Sequence, residues 1–197
     1  MFIALEGGEG VGKTTIASIL KKKLEQDKLD VIITREPGGI PAAEAIRANI
    51  FDYKVEAKTE LLLYLAARRE HLINKIIPSL NNGNIVITDR FYLSTLAYQG
   101  YARGLGIDLV RELNSFVCDV YPDINILLDA PVKLGLSRRI STTELNRIDL
   151  ESFEFHNKVY EGYKILAEQG KDNIEIVDST RSIEDVASHV YQIIKNL

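Results

Sequence analysis

The chain has 197 residues, of which 46% are hydrophobic and 26% are charged, and its formal net charge at pH 7 is −4. This size and composition are typical of one soluble globular domain, and no apolar run approaches the roughly 18 residues of a membrane-spanning helix. We therefore expect one domain over residues 1–197 without a membrane partner, and the negative net charge argues against broad binding of nucleic acid.

The start of the chain and its cysteine content bear on where the protein works. Met1 leads directly into an apolar run with no basic segment ahead of it, which is not the pattern of a signal peptide. The single cysteine, Cys118, has no partner for an internal disulfide and lies in an apolar pattern, which indicates a buried inert thiol. Together these features predict a cytoplasmic protein.

Short apolar runs alternate with longer helical patterns along the whole chain. The strand candidates, in order, are Phe2 to Leu5, Val31 to Thr34, Ile85 to Thr88, Ile124 to Leu128, and Ile174 to Val177. The helix candidates lie at about 13–26, 41–50, 57–78, 92–102, 107–118, 131–139, 150–169 and 182–196. This alternation predicts an α/β fold in which helices cover a parallel sheet.

The first strand candidate is followed at once by a glycine-rich loop that begins at Gly7 and ends at Thr14. It fits the phosphate-loop pattern G-x-x-x-x-G-K-[ST], and it has the strand before it and the helix after it that the pattern requires. The loop backbone can surround phosphate oxygens, Lys13 can reach the outer phosphates, and the Thr14 hydroxyl can bind Mg²⁺. The expected nucleotide-binding residues here are Gly7, Gly8, Glu9, Gly10, Val11, Gly12, Lys13, Thr14 and Thr15.

The ends of the other strands carry polar residues as well. In open parallel sheets ligands bind outside the carboxyl ends of the strands, so these residues are expected to meet at one rim. Asp89 would hold the magnesium shell from the side opposite the phosphate loop, and Arg90 would offer a planar, permanently charged fork to phosphates. An ordinary surface ion pair at a strand end is the alternative interpretation.

Three further stretches resemble one family, the bacterial thymidylate kinases. They are Arg35–Gly39 (Arg-Glu-Pro-Gly-Gly), Tyr64–Arg68 (Tyr-Leu-Ala-Ala-Arg) and Asp89–Gly100, and the resemblance extends in the right order over essentially the whole chain. It implies a P-loop nucleotide kinase fold with a five-stranded parallel sheet in the order 2-3-1-4-5 and a short lid at about 138–149. It also implies a homodimer, formed through the helices at 57–78 and 92–102.

The reaction implied by the resemblance is transfer of the γ-phosphoryl group of ATP, with Mg²⁺, to thymidine 5′-monophosphate (dTMP), which gives the diphosphate dTDP. Tyr64 would stack on thymine, Arg68 would bind the base edge, and Tyr98 would lie against the sugar where a ribose 2′-hydroxyl would go. The implied substrate-binding residues are Glu9, Arg35, Pro37, Arg47, Tyr64, Arg68, Arg90, Ser94, Thr95, Tyr98 and Gln99, and the implied metal-binding residues are Thr14, Asp89 and Glu9.

Some of these residues have a simpler interpretation. Tyr64 lies in a leucine-rich run and could fill the core, Glu9 could be a solvated side chain, and Arg47 could be an exposed arginine. The three histidines, His71, His156 and His189, have no metal-ligand spacing and are interpreted as structural.

The polar segment from Ile140 to Ile148 bridges two helices and is predicted to be a mobile lid. Members of the resembled family with a small apolar residue at the position of Val11 bring a catalytic arginine from the lid tip, but the tip here reads Ile-Ser-Thr-Thr-Glu. We therefore expect Arg139 or Arg147 to act with Lys13 and Arg90 on the transition state. Arg138 and Arg181 are expected on the adenine side. Asp149 either helps to order the closed site or caps the next helix.

Two other functions stay open on the sequence alone. One is a P-loop kinase for another deoxynucleotide or for a nucleoside, and the other is a nucleotide-hydrolysing switch protein. The switch is disfavoured because the chain lacks an Asn-Lys-x-Asp motif and an Asp-x-x-Gly segment after the third strand, where Asp89 is followed by Arg90, Phe91 and Tyr92.

Overall fold

The computed structural model describes residues 1–141 and 145–197. Five strands form one parallel sheet in the order β2-β3-β1-β4-β5, which confirms the predicted fold class and strand order. The strands are β1 (Phe2–Glu6), β2 (Val31–Arg35), β3 (Ile85–Asp89), β4 (Ile124–Asp129) and β5 (Ile174–Asp178). Each runs one residue further than predicted, because the polar residue after each apolar run is still paired in the sheet.

The helices of the described residues follow the predicted alternation with changes at their ends. They are α1 (Lys13–Gln26), α2 (Pro41–Asp52), α3 (Ala57–His71), α4 (Ile77–Asn81), α5 (Tyr92–Thr95), α6 (Ile107–Val117), α7 (Val132–Ile140), α8 (Phe153–Glu168) and α9 (Ile183–Lys195). The predicted helix at 57–78 is α3 and α4 joined by a π-helical turn, Leu72–Ile76, which lies just ahead of Pro78. The predicted helix at 92–102 is the short α5 followed by the π-helical segment Leu96–Ala102.

Serine side chains begin the last two helices. Ser152 Oγ accepts the backbone N–H of Phe155 at 3.2 Å, so α8 begins at Phe153 rather than at 150. Asp149, which the sequence offered as a possible cap, is therefore not the cap of α8. Ser182 Oγ accepts the backbone N–H of Asp185 at 3.1 Å and caps α9.

Both faces of the sheet are buried, as the apolar strands require. Along β1, Ile3 and Leu5 face the cluster formed with α1 and α9, whereas Phe2 and Ala4 face the cluster formed with α3, α8 and the π-helical segment. In the part of the chain that the structure describes, no helix has the length and apolar character needed to cross a membrane.

The phosphate loop and α7 meet backbone to backbone at Gly10 and Gly135. A Cβ atom on Gly10 would overlap the carbonyl group of Gly135, and one on Gly135 would overlap the carbonyl oxygen of Glu9. Gly10 also has a φ of +70°, which glycine adopts without strain. The helix that leads into the expected lid is therefore packed directly on the nucleotide loop.

Candidate active site

A cleft of about 640 Å³ opens at the rim where β1, β2 and β3 end. Its wall contains most of the residues that the sequence singled out: Glu9, Gly10, Val11, Gly12, Lys13, Thr14, Thr15, Arg35, Pro37, Arg47, Tyr64, Arg68, Asp89, Arg90, Ser94, Thr95, Tyr98, Gln99, Arg138, Arg139 and Arg181. Three predicted residues among those described are not part of this wall. Gly7 and Gly8, at the start of the loop, line a second, smaller pocket beside β4 and α8, and Arg147 is not part of the cleft wall.

Lys13 lies folded against its own loop at the start of α1. Its ammonium group donates hydrogen bonds to the carbonyl oxygens of Gly7 at 3.1 Å and Gly8 at 2.7 Å. Burial, with a further contribution from the positive charge of Arg90, lowers the pKa of Lys13 to about 8. Two cations close together in a buried site favour the binding of an anion there.

Thr14 and Asp89 bring two oxygen atoms together beside the phosphate loop. The Thr14 hydroxyl donates to Asp89 Oδ2 at 2.6 Å. Among the described residues, no group of three or more His, Cys, Asp or Glu side chains could hold a metal ion by itself. Mg²⁺ is usually bound by one or two protein oxygens together with substrate phosphates and water, so this pair fits a magnesium ion that arrives with a nucleotide.

Arg90 connects β3 to the phosphate loop. Its φ of +71° is unusual for a residue with a side chain. Its guanidinium donates to the carbonyl oxygen of Gly7 at 2.9 Å and to Glu9 Oε1 at 2.7 Å. The Tyr98 hydroxyl donates to the same Glu9 oxygen at 2.9 Å.

Glu9 is ionised in this setting. Burial alone would raise its pKa, but the charges of Arg90 and Lys13 lower it to about 2. Glu9 is therefore a fixed partner of Arg90 and Tyr98 on the cleft wall rather than a solvated side chain.

Behind Arg90, the buried carboxylate of Glu6 holds the segment that follows β3. It accepts hydrogen bonds from the Phe91 backbone N–H at 2.8 Å, the Ser94 hydroxyl at 2.6 Å and the Tyr163 hydroxyl at 2.9 Å. Burial raises the pKa of Glu6 despite these contacts. Glu6 directly precedes the phosphate loop in the chain, whereas no sequence pattern indicates Tyr163, which comes from α8.

A cluster of arginines forms one end of the cleft. Arg47 donates to the carbonyl oxygen of Pro37 at 2.9 Å, and its guanidinium lies 4.4 Å from the ring centre of Phe51. Nη2 of Arg35 donates to both carboxylate oxygens of Glu44, at 3.0 and 3.1 Å. Burial and the nearby charge of Arg35 lower the pKa of Arg47, although the carboxylate of Glu44 acts in the opposite direction.

Arg68 lies at the deep end of the cleft and is only 2% exposed. Its Nε donates to Glu36 at 2.7 Å, and its Nη1 donates to Thr95 at 3.0 Å and to Asn114. Nη2 makes no hydrogen bond to any other residue within 1–141 or 145–197, although Arg68 is part of the cleft wall. Arg68 is therefore held from behind and keeps donor groups to offer to a ligand.

Glu36 is itself fixed by His71. His71 Nδ1 is 3.0 Å from Glu36 Oε1, and its Nε2 is 2.6 Å from the Thr34 hydroxyl. The sequence contained Glu36 within the Arg-Glu-Pro-Gly-Gly stretch but gave no reason to connect it with Arg68. His71, interpreted from the sequence as structural, is completely buried in this network.

Tyr64 and Gln99 complete the deep end. Tyr64 is half-buried on the cleft wall, one helical turn from Arg68, and is not part of the buried core clusters. Gln99 is 1% exposed, and its Nε2 donates to Glu60 Oε1 at 2.8 Å. Glu60 was not expected from the sequence because a single glutamate in an amphipathic helix is most simply a solvated residue.

The three arginines that flank the expected lid tip have different surroundings. Arg138 donates to the carbonyl oxygen of Ser179 at 3.0 Å, at the end of the cleft where Arg181 lies. Arg139 is on the cleft wall and makes two hydrogen bonds to Asp149 at 2.9 and 2.8 Å. Arg147 contacts Glu60 and the carbonyl oxygen of Ile50. Of the expected lid tip, which runs from Ile140 to Glu144, residues 142–144 lie outside the described residues.

The family model for thymidylate kinase matches residues 5–190. The chain belongs to the thymidylate kinase family. A thymidylate kinase from Staphylococcus haemolyticus is 44% identical over 198 residues, which cover 99% of this chain and 97% of that protein. One from Oceanobacillus iheyensis is 46% identical over 202 residues, which cover 100% of this chain and 90% of that protein. The family resemblance seen in the sequence is thereby confirmed.

A solved structure agrees with this membership of the thymidylate kinase family. The thymidylate kinase from Ehrlichia chaffeensis superposes with a TM-score of 0.82 at 34% sequence identity, covering 99% of this chain and 98% of the other. The match therefore includes the whole sheet and the helices that form the cleft.

Proposed function

We propose that this protein transfers the γ-phosphoryl group of ATP to dTMP, with Mg²⁺, and that the residues of the cleft have separate roles in substrate binding and catalysis. The assignment of this reaction rests on membership of the thymidylate kinase family. The observation that supports the choice of acceptor is the pair of polar groups at the deep end of the cleft, Arg68 and Gln99.

These two groups present a hydrogen-bond donor beside an acceptor. Arg68 has N–H groups to offer, and Gln99 turns its amide nitrogen towards Glu60, which leaves its oxygen for a ligand. Thymine offers the complementary edge, the O4 acceptor beside the N3–H donor. Cytosine has an amino donor and a ring-nitrogen acceptor at the same places, so both contacts would be mismatched.

The rest of the acceptor fits the remaining wall. Tyr64 stacks on the base, and Tyr98, fixed by Glu9, lies against the sugar. Arg35, Arg47 and Arg90 bind the monophosphate. Pro37, Ser94 and Thr95 line the same acceptor site.

Phosphoryl transfer of this kind depends on positioning and charge, because the transition state is loose and needs little covalent help. Lys13 and Arg90 supply fixed positive charge beside the transferred group, and the acceptor phosphate is already an anion, so no general base is needed. Mg²⁺, which Thr14 and Asp89 would hold with the nucleotide, neutralises phosphate charge when it is bound.

The three arginines that flank the lid tip are assigned different roles because their surroundings differ. Arg139 is assigned to the transition state because it is on the cleft wall and its fork is fixed by Asp149. Arg147 is assigned to holding the lid segment in place, through Glu60 and Ile50. Arg138 and Arg181 are assigned to the adenine side, beside Ser179.

The test of the reaction is ADP release from Mg-ATP across a panel of nucleoside monophosphates, nucleosides and water. We expect dTMP to be the best acceptor. Activity with water alone would exclude a kinase, and a preference for another monophosphate would exclude the assignment to dTMP. Deoxyuridine monophosphate is expected to be a slower substrate, because one methyl group in an apolar pocket is worth only about 1–3 kcal/mol.

We also propose that the chain is one domain and forms a cytoplasmic homodimer. Leu62 on α3 is 61% exposed, and Phe116 on α6 is 86% exposed, so these two contacting helices carry apolar side chains that a second copy would cover. Within the segment at 92–102, expected to share in the interface, Tyr92 to Gly100 are buried within the chain, so only Tyr101 and Ala102 are left to contact a second copy.

A further inference from the structure

Glu60 on α3 is a buried carboxylate whose partners come from separate parts of the chain. Its side chain is 1% exposed. It accepts hydrogen bonds from Gln99 Nε2 at 2.8 Å, from Arg103 Nε at 3.3 Å and from Arg147. Two of these partners follow α5, and the third belongs to the segment that is expected to form the lid.

These contacts keep Glu60 ionised. Burial alone would raise its pKa, but the hydrogen bonds from Arg147 and Gln99 and the charge of Arg103 lower it below its ordinary value. An ionised carboxylate accepts hydrogen bonds and donates none. Whatever faces Glu60 must therefore be a donor.

This requirement fixes the Gln99 amide. If the amide turned over, its oxygen would face the carboxylate, and two acceptors would lie 2.8 Å apart without a proton between them. The Gln99 oxygen therefore points away from Glu60, and it accepts no hydrogen bond from any other described residue. Since Gln99 is on the wall of the cleft, its oxygen is left for a ligand.

We propose that Glu60 is a positioning residue for base selection, which locks the Gln99 amide so that only an acceptor faces the base. The proposal rests on the proposed function, because it takes the base in this cleft to be thymine. Without Glu60 the amide can turn over and offer a donor, which suits the N3 atom of cytosine.

The same carboxylate connects base selection to the lid segment. Arg147, bound to Glu60, also donates to the carbonyl oxygen of Ile50 at 3.2 Å and lies 3.6 Å from Glu151. Arg103 donates to Glu151 at 2.5 Å. Glu151 therefore shares both arginines with Glu60, but among the described residues it makes no hydrogen bond with Gln99, so it provides a matched control.

The test compares kcat/KM for dTMP with kcat/KM for dCMP in the parent protein, Glu60→Gln and Glu151→Gln. Glu60→Gln keeps the shape of the side chain but lets it donate, so the Gln99 amide is no longer held. We expect the dTMP to dCMP ratio to fall by about 10- to 100-fold in Glu60→Gln, while the KM for ATP stays within about twofold. In Glu151→Gln we expect the ratio to stay at the parent value.

Two further variants keep the test decisive. Glu60→Asp retains the charge that Arg103 and Arg147 need but withdraws it from Gln99, so the ratio should fall even if Glu60→Gln does not fold. The exchange Glu60→Gln with Gln99→Glu returns an acceptor to position 99 and should restore the ratio. An unchanged ratio in folded Glu60→Gln or Glu60→Asp, or an equal fall in Glu151→Gln, would overturn the inference. A parent protein that prefers another monophosphate would instead overturn the proposed function.

Discussion

Lys13 uses two of its ammonium hydrogens on the carbonyl oxygens of its own loop, Gly7 and Gly8. Burial and the charge of Arg90 lower its pKa to about 8, so near pH 8 a part of the ligand-free protein has a neutral lysine. A bound phosphate favours the charged form of Lys13, so the neutral lysine takes up a proton from solution when the nucleotide binds. The phosphate loop is thus expected to take up a proton when it binds nucleotide in mildly alkaline solution.

We predict that Mg-ATP binding takes up about half a proton from solution near pH 8 and very little near pH 6.5. The affinity for Mg-ATP should weaken as the pH rises above about 8, because the free protein loses the proton that the complex keeps. Calorimetry in two buffers of different ionisation enthalpy measures the uptake. In Lys13→Arg, whose side chain stays charged, the uptake should disappear, and persistence of the uptake there would assign it to another group.

Arg139 and Arg147 should contribute unequally to the rate of phosphoryl transfer. Arg139→Ala is expected to lower kcat at saturating substrates by about a thousandfold, the range in which a transition-state arginine acts. Arg147→Ala should lower kcat by less than Arg139→Ala, because its guanidinium is held by Glu60 outside the cleft wall. A larger loss in Arg147→Ala would reverse the two roles. If neither variant lost more than about tenfold, which corresponds to about 1.4 kcal/mol, neither Arg139 nor Arg147 would act on the transition state.

Between elements, β2 and α3 are joined through a chain of buried polar contacts rather than by apolar packing alone. Thr34 lies next to His71, His71 next to Glu36, and Glu36 next to Arg68. The turn after β2 is therefore tied to the helix that carries Arg68, the arginine proposed to bind the base.

Removal of the His71 side chain should destabilise both the end of β2 and α3. His71→Ala leaves a cavity and two buried groups without a partner, so we expect the free energy of unfolding to fall by about 2–4 kcal/mol. In the folded fraction, the KM for dTMP should rise more than the KM for ATP, because the phosphate loop is not part of this network. Chemical denaturation and steady-state kinetics measure both effects, with His189→Ala on an exposed helix face as the control. Equal changes in both KM values would contradict this assignment.

The elements also show what could be predicted from sequence and what could not. The alternation of apolar runs and helical patterns was sufficient for five strands and their neighbouring helices, because both periodicities are local. The π-helical segment Leu96–Ala102 was predicted as ordinary helix, because its departure depends on packing against α8 and α6 and leaves no pattern in the residues.

For the whole molecule, the apolar side chains left on α3 and α6 predict the oligomeric state. The parent chain should sediment at twice its mass of 22.1 kDa, and Phe116→Glu should yield monomers, because a buried charge at an apolar interface is costly. Analytical ultracentrifugation distinguishes the two states. Leu197→Glu, at an exposed apolar residue on the C-terminal end, is the control. A parent chain that sediments as a monomer would contradict the homodimer.

The cleft itself was largely predictable, whereas its supports were not. Residues such as Lys13, Asp89 and Arg90 belong to short motifs whose spacing follows from the chemistry of phosphate binding. Glu60 and His71 support the site from behind, and their partners are far away in the chain, so nothing local marks them. Tertiary contacts alone bring Glu60 to Gln99 and His71 to Glu36.

The contact between Gly10 and Gly135 constrains how this sequence can vary. The phosphate-loop pattern allows any residue at position 10, and a helix such as α7 would ordinarily gain stability from alanine at position 135. Neither substitution is possible here, because the carbonyl group of Gly135 excludes a side chain at position 10 and the carbonyl oxygen of Glu9 excludes one at position 135. The two sites should behave as one unit under random mutagenesis, with no pair of substitutions able to compensate, so that surviving clones carry glycine at both positions.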